Sequence, residues 1–242
     1  MSNLEKLSLY LCIIDRDEFI GNVHLENEIL VYMPQLHTFN FYIRTYIETV
    51  DIINNLSIEH IRQQHIACVI NNIYSTQSVC SIFSIPFTFD RLEDIGNQFP
   101  DITFTYVTYL RVQDVFPFNR RFFMRVAQAF PLVKTFRISN YNSHSVCDFD
   151  DNNQSYGIAK YPHLTYLHVL GAPKNCLEQF LNERKTYVPC LTKLKVFHNY
   201  LSIVTNHFTR EETRRNCAKI KRLFMVIPLV HSRDFYLYFP LL

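Results

Sequence analysis

Glycine is scarce in this chain and tryptophan is absent: the 242 residues include four Gly and no Trp. A loop that binds phosphate groups needs closely spaced glycines, so we expect no such loop. The patterns HExxH, GxSxG and GxxxxGK(S/T), which mark zinc proteases, serine hydrolases and nucleotide-binding proteins, do not occur either. We therefore predict no catalytic residues, no metal site and no cofactor, in a protein that is not an enzyme.

Charge of one sign, long hydrophobic runs and paired cysteines are also lacking. Charged residues make up 19% of the chain and the net charge is +2, unlike a disordered chain or a strongly basic nucleic-acid-binding protein. We find neither a signal peptide nor an apolar stretch long enough to span a membrane. The seven Cys are odd in number and show no CxxC spacing. This favours reduced thiols in an intracellular protein, cytoplasmic or nuclear.

Apolar residues, by contrast, are abundant, and a short phrase of them recurs. They form 48% of the chain, which predicts one domain over residues 1–242. The phrase has a proline followed by three apolar residues, spaced three and then two apart. It reads YPHLTYLHVL at 161–170, and similar stretches begin at 33, 130 and 188. Its last part alternates apolar and polar residues, which predicts a half-buried strand.

Seven copies of the phrase can be found if any apolar residue is accepted. They are Leu4/Leu7/Leu9, Leu36/Phe39/Phe41, Cys80/Phe83/Ile85, Val107/Leu110/Val112, Val133/Phe136/Ile138, Leu164/Leu167/Val169 and Leu191/Leu194/Val196. The usual interval is about 27 to 32 residues, which is typical of stacked repeats. One wider interval predicts an insertion near 45–75. Pro86 lies inside the third copy and predicts an edge strand or a bulge there.

Segments between the copies have the spacing of helices. We predict helices over 17–32, 57–73, 119–130, 175–185 and 209–225, and a short one that begins at Asp90. The polar stretch 139–160 predicts a long surface loop. Asp148, Asp150 and Asn152 within it resemble the start of a calcium-binding loop, but the later positions do not fit. We expect the apolar C-terminus to add a strand or to cap the core.

The alternation of phrase and helix resembles the leucine-rich repeat family in its irregular form. Two copies complete the family pattern, with Cys12 and Asn199 at its last position. The resemblance implies an α/β solenoid, or horseshoe, with parallel strands on the concave face and helices outside. A doubly wound α/β domain is the alternative that the same alternation allows.

Degenerate repeats of this kind look like the substrate-recognition region of F-box/leucine-rich repeat proteins. In that family the F-box binds a cullin ubiquitin ligase. Here the first copy begins at Leu4, which leaves no room for an F-box or for a cap over the first repeat. We expect either an N-terminally truncated fragment or another element that covers this end. The resemblance implies a non-enzymatic protein-interaction scaffold, the substrate-recognition part of a ubiquitin-ligase adaptor. The alternative function is an α/β enzyme with an unrecognised active site.

The polar positions that alternate with the buried ones predict a binding face. In two rows they are Ser8, Asn40, Ser84, Arg111, Arg137, His168 and Lys195, and Lys6, Thr38, Ile82, Tyr109, Thr135, Tyr166 and Lys193. The C-terminal half is basic and carries tyrosines, which binding hot spots favour. We predict that a protein partner with an acidic or phosphorylated segment binds Tyr109, Arg111, Arg137, Tyr166, His168, Lys193 and Lys195. Nucleic acid is a weaker alternative, and we interpret the basic residues of 210–222 as a solvated helix face.

Overall fold

Two larger β-sheets and a third of only two strands organise the described part of the chain into a mixed α/β structure. The computed structural model describes residues 4–14, 19–20, 22–48, 66–74, 77–140, 157–226 and 232–242. Its strands are β1 (Lys6–Ile13), β2 (Thr38–Glu48), β3 (Ile66–Tyr74), β4 (Gln77–Ser84), β5 (Arg91–Ile95), β6 (Tyr109–Gln113), β7 (Thr135–Ser139), β8 (Ala159–Lys160), β9 (Tyr166–Val169), β10 (Thr186–Tyr187), β11 (Lys193–Val196) and β12 (Arg222–Met225). Its helices are α1 (Asn22–Glu28), α2 (Arg120–Ala129), α3 (Lys174–Leu181), α4 (His198–Val204), α5 (Glu211–Cys217) and α6 (Arg233–Tyr238), with a 3-10 turn at Leu30–Tyr32.

The larger sheet has six parallel strands that follow one another in chain order, β5-β6-β7-β9-β11-β12. The same backbone contact begins each new strand. The carbonyl of Thr108 accepts hydrogen bonds from the amides of Lys134 (2.8 Å) and Thr135 (2.9 Å). Equivalent pairs of bonds end on the carbonyls of four further residues: Asp90, Lys134, Thr165 and Thr192. The parallel strands predicted from the last four copies of the phrase are therefore confirmed.

One face of this sheet is covered by helices and forms the main core. The apolar positions of the phrase point to that side, and Leu110, Phe136 and Leu167 are each 0% exposed. They pack with aromatic side chains of α2 and α3, where the Phe123 and Phe180 ring centroids are 5.3 Å apart. The predicted helices at 119–130 and 175–185 are confirmed as α2 and α3. The helix α2 begins where the Asn119 side chain accepts a hydrogen bond from the Phe122 amide.

The smaller sheet has the order β1-β2-β4-β3 and is mixed. Its strands β1 and β2 are parallel, with Leu7 opposite Phe39, as the first two copies of the phrase predict. The other pairs are antiparallel. The third copy, at Cys80, is therefore not a parallel repeat, and that prediction is wrong. Two of its predicted face residues are buried: Ile82 packs in a small core, and the Ser84 hydroxyl accepts a hydrogen bond from the Phe41 amide.

Two predicted helices are strands instead. The segment Ile66–Tyr74 forms β3, and residues 57–65 of the same prediction lie outside the described part. Residues four apart share one face in a helix and in a strand alike, so the apolar spacing there fitted both. The helix predicted to begin at Asp90 is β5, with Leu92 opposite Leu110. The predicted first helix is shorter than 17–32, since α1 covers only Asn22–Glu28 before the 3-10 turn.

The last predicted helix, over 209–225, ends early at Cys217. The chain then forms β12, in which Leu223 lies opposite Leu194. Ile220, Leu223 and Met225 thus form a further copy of the phrase. The C-terminus adds α6 rather than a strand, and it caps the core as expected because Phe235 is buried in the main cluster.

The two residues that complete the family pattern, Cys12 and Asn199, do not take the buried positions that the pattern implies. Both are exposed, and they form no buried ladder. Of the predicted loop 139–160, residues 141–156, with Asp148, Asp150 and Asn152, lie outside the described part, as do residues 49–65 of the insertion near 45–75. Among the helices that the structure describes, none has the length and apolar character needed to cross a membrane.

A buried charge cluster joins the two sheets, and we name it the Arg44 clasp. Arg44 on β2 extends its Nη1 atom to Glu93 Oε2 and Asp94 Oδ2 on β5, at 2.7 Å each. Tyr42 donates a hydrogen bond to the Glu93 carbonyl and accepts one from its amide, and Tyr46 bonds the Asp94 carboxylate. Burial alone would raise the pKa of Glu93, but hydrogen bonding to Arg91 and the charges of Arg44 and Arg91 lower this pKa below its ordinary value.

We expect Arg44→Met to destabilise the protein by about 3 to 5 kcal/mol, since it leaves two buried carboxylates without their shared cation. The matched control is Arg91→Met, because Arg91 also pairs with Glu93 but its side chain is 49% exposed. Arg91→Met should lower the free energy of unfolding by less than about 1 kcal/mol. Urea unfolding at neutral pH measures both free energies. Equal losses in the two variants would show that the clasp does not hold the sheets together.

Candidate functional site

The uncovered side of the six-stranded sheet carries the predicted binding residues, and we name it the basic face. Strand register places its side chains in two rows. The first row is Arg91, Tyr109, Thr135, Tyr166, Lys193 and Arg222, and the second is Arg111, Arg137, His168, Lys195 and Phe224. All seven predicted site residues belong to these rows. They alternate along the strands with core residues, which places them on the side away from the helices.

The β5 and β6 end of the basic face carries carboxylates beside its cations. The Arg91 Nε atom lies 2.5 Å from Glu93 Oε1, and its guanidinium is stacked 3.8 Å from the centre of the Tyr109 ring. Arg111 lies 3.4 Å from Asp94 and donates to Gln113 Oε1 at 2.8 Å. Glu93 and Asp94 therefore belong to the clasp and also offset part of the positive charge at this end of the face.

A local backbone feature brings Asp94 to this position. The pairing of β5 with β6 shifts register between Leu92 and Ile95, so that β5 contains a bulge. Asp94 has a φ of 57°, in the left-handed region that aspartate tolerates better than most residues. The bulge turns its carboxylate towards Arg111 on one side and Arg44 on the other.

In the remaining half of the basic face, no described carboxylate pairs with the cations. Within the described ranges, Arg137, Lys193 and Lys195 form no ion pair with a carboxylate. The Nε atom of Arg137 is buried and has no hydrogen-bond partner in the part of the chain that the structure describes. A buried donor left in this state costs about 1 to 3 kcal/mol. This half of the face is therefore electrostatically unsatisfied, and an anion is the complementary ligand.

His168 lies at the centre of this half, between Arg137 and Lys195 in neighbouring strands. It is 8% exposed, and its ring is stacked with that of Tyr166 at a centroid distance of 6.3 Å. Burial and the nearby charges of Arg137, Lys195 and Arg111 lower the pKa of His168 from 6.5 to about 4. The imidazole is thus neutral at physiological pH.

Three residues of the basic face were missed by the prediction: Arg91, Arg222 and Phe224. Arg222 and Phe224 were assigned to a helix, although the phrase at Ile220, Leu223 and Met225 carried the signal for a strand. The phenylalanine is 46% exposed and its ring lies 6.2 Å from that of Tyr166. It gives the charged surface an apolar border.

Other basic residues are already paired. Arg210 binds Glu178 at 3.1 Å, Arg214 lies 3.5 Å from Glu211, and Arg215 lies 3.6 Å from Glu183. The basic residues of 210–222 were interpreted as a solvated helix face, and these three pairs agree with that interpretation. Arg222 does not, because it lies on β12 and not on a helix. The three pairs contrast with the unpaired cations of the basic face.

A cavity of about 240 Å³ lies beside the last turn of α2. It is lined by Phe99, Asp101, Ile102, Thr103, Arg125, Gln128 and Ala129. The chain continues from this turn into the start of β7, so the cavity lies near the amino ends of the strands. Arg125 in this cavity donates a hydrogen bond to the Phe99 carbonyl at 3.0 Å, and its guanidinium stacks on the Phe99 ring. Across the residues that can be described, no group of three His, Cys, Asp or Glu side chains could hold a metal ion.

Comparison with protein-family models, curated proteins and solved structures finds no match to this chain. We therefore infer the function from the geometry and charge of the basic face.

His168 should make the stability of the protein depend on pH. Its pKa is lower in the folded than in the unfolded chain, so the unfolded chain binds more protons between pH 6.5 and about 4. The free energy of unfolding should then fall as pH falls through this range, by up to about 3 kcal/mol from this group. The variant His168→Gln should lose less stability than the original protein over the same range.

Chemical unfolding at several pH values measures this difference. The control is His163→Gln, because His163 is exposed in the turn before β9. It should follow the original protein. If His168→Gln and His163→Gln behaved alike, the histidine would not be held neutral by its surroundings.

Proposed function

We propose that the protein is a non-enzymatic protein-interaction scaffold, and that its basic face binds an acidic segment of a partner protein. The observation that carries this proposal is a set of cations that pair with no carboxylate among the described residues: Arg137 on β7, and Lys193 and Lys195 on β11, on either side of β9. A surface with unsatisfied positive charge gains most from a ligand that brings negative charge.

The residue types on the basic face suit binding to a peptide. Neighbouring strands are about 4.8 Å apart, so cations on successive strands can meet acidic residues along an extended segment that crosses the sheet. Arg137 can bind a carboxylate through two parallel hydrogen bonds. Tyr166 and the half-exposed Phe224 supply apolar contact area, which hot spots of protein interfaces combine with arginine.

We further propose that the protein is a solenoid, that it is intracellular, and that it recognises substrates for a ubiquitin ligase. Strands in chain order, linked by the same pair of hydrogen bonds each time, support a leucine-rich-repeat-like solenoid with the basic face on its concave side. Five described cysteines are free, which supports an intracellular setting, cytoplasmic or nuclear. The resemblance to F-box/leucine-rich repeat proteins supports substrate recognition for a ubiquitin ligase as the role of the scaffold.

An α/β enzyme is the alternative that we weighed. It predicts titratable groups that converge in a pocket at the carboxyl ends of the strands. The cavity beside α2 lies near the opposite ends, and Arg125 within it binds backbone carbonyls of the protein itself. We therefore favour the scaffold.

Charge reversal on the basic face should abolish binding of an acidic peptide. The variant is Arg137→Glu with Lys195→Glu, which leaves Arg111 and the clasp untouched. A fluorescein-labelled oligoglutamate peptide is the probe, and fluorescence anisotropy measures its dissociation constant. We expect at least about tenfold weaker binding than in the original protein. We also expect affinity for the original protein to fall as salt is added.

The matched control is Lys160→Glu with Lys174→Glu. It changes the net charge equally, but both lysines are exposed and lie outside the six-stranded sheet. This control should bind the peptide nearly as well as the original protein. Equal weakening in both double variants would mean that overall charge, not the basic face, attracts the peptide, and the proposal would fail.

A further inference from the structure

Four neighbouring strands each contribute one nitrogen-bearing side chain to the second row of the basic face. In order across the sheet they are Arg111 on β6, Arg137 on β7, His168 on β9 and Lys195 on β11. The backbones of the outer two are about 14 Å apart, or three strand spacings. Arg and Lys side chains are long enough for their charged groups to approach one another above the shorter His168 side chain.

The donors in this row exceed the acceptors that the protein supplies. Arg111 has Asp94 and Gln113 as partners, but its Nε atom has none. The Nε atom of Arg137 is buried without a partner, as is the amide nitrogen of Gln113, a residue that is 0% exposed. Three buried donors on two adjacent strands thus lack an acceptor among the described residues, which is unusual for a folded protein.

The charge of the row can be counted as well. Arg111 shares the Asp94 carboxylate with Arg44, and neutral His168 adds no charge. Arg137 and Lys195 therefore add two positive charges that no carboxylate of the described residues pairs with. A carboxylate carries one negative charge on two oxygens. A phosphate ester carries about −1.5 to −2 and has three acceptor oxygens. The charge of the phosphate ester matches the two unpaired positive charges more closely than the charge of a carboxylate does.

We propose that Arg137, flanked by Arg111, His168 and Lys195, forms a phosphate-binding site for a phosphorylated serine or threonine of the partner protein. This inference rests on the proposed function and names the chemistry that the same face selects. Arg137 binds two phosphate oxygens with its planar guanidinium, and Lys195 supplies a point charge from the far side of His168. The neutral imidazole donates one further hydrogen bond.

A nucleic acid fits the row less well. Binding to a nucleic acid neutralises many phosphates in succession. Here the clasp acids Glu93 and Asp94 border the row at one end and the apolar ring of Phe224 borders it at the other. The unbalanced charge in the row suffices for one phosphate group.

Three labelled peptides with the same Gly/Ser flanks would test the site. They carry phosphoserine, glutamate or serine at the centre, and fluorescence anisotropy measures binding. We expect the phosphoserine peptide to bind at least about tenfold more tightly than the glutamate peptide, and the serine peptide to bind weakest. Arg137→Ala should remove this preference, and Arg137→Lys should restore part of it because it keeps the charge without the paired hydrogen bonds. Lys160→Ala is the control and should keep the preference.

A second measurement needs no change at the site. Proton NMR can follow the titration of the His168 ring, assigned by comparison with His168→Gln. Bound phosphoserine peptide should raise the pKa of His168, because a nearby anion favours the imidazolium. An unchanged pKa in the saturated complex would place the phosphate elsewhere and overturn the site.

The outcomes separate this inference from the proposed function. If the glutamate peptide binds as tightly as the phosphoserine peptide, the phosphate site is wrong and an acid-binding face remains. If neither these peptides nor oligoglutamate binds, both fail. If inorganic phosphate competes as strongly as the phosphopeptide, the ligand is a free anion and the protein-borne phosphate is overturned. Tighter, steeply salt-dependent binding of single-stranded RNA would overturn it in favour of nucleic acid.

Discussion

The constant register of the six parallel strands is the constraint on which the rest of the structure depends. One backbone carbonyl before each strand accepts two amide hydrogen bonds from the next, and this contact recurs five times along the sheet. Because a shift of one residue would turn every side chain to the opposite face, the contact fixes which residues are buried. It aligns Leu110, Phe136 and Leu167 against the helices and, on the other side, aligns Arg111, Arg137 and His168 in one row.

The Arg44 clasp connects this sheet with the smaller one and has a second effect. A buried cation between two carboxylates is costly to desolvate, so such a cluster gives little net stability compared with apolar packing. The clasp is more important for where it places its two carboxylates than for the stability it provides. Glu93 and Asp94 are held by Arg44 from one sheet, and they meet Arg91 and Arg111 from the other. The junction between the sheets and the charge pattern of the basic face therefore share the same two carboxylates.

Much of the larger sheet could be predicted from the sequence, because its repeated phrase has the period of a strand. The seven predicted site residues lie on its uncovered face for the same reason. The sequence predicts helices where the structure has the strands Ile66–Tyr74, Arg91–Ile95 and Arg222–Met225. In the first segment, apolar residues four apart share one face in a helix and in a strand alike. For the other two, the patterns at Asp90 and at 209–212 are typical of the start of a helix. The pairing of Arg111 with Asp94 could not be predicted, because it depends on a bulge and a left-handed residue that no local pattern marks.

The bulge at Asp94 makes the two ends of the basic face electrostatically different. With its acids at the β5 end and its unpaired cations at β7 to β11, the basic face has a gradient of electrostatic potential across the strands. An extended chain that crosses the sheet can lie in two opposite orientations, and a symmetric surface would not distinguish them. On this surface, a segment whose negative charge is concentrated towards one terminus has different energies in the two orientations. Under the proposed function, the basic face would therefore distinguish the order of residues in a bound segment as well as their composition.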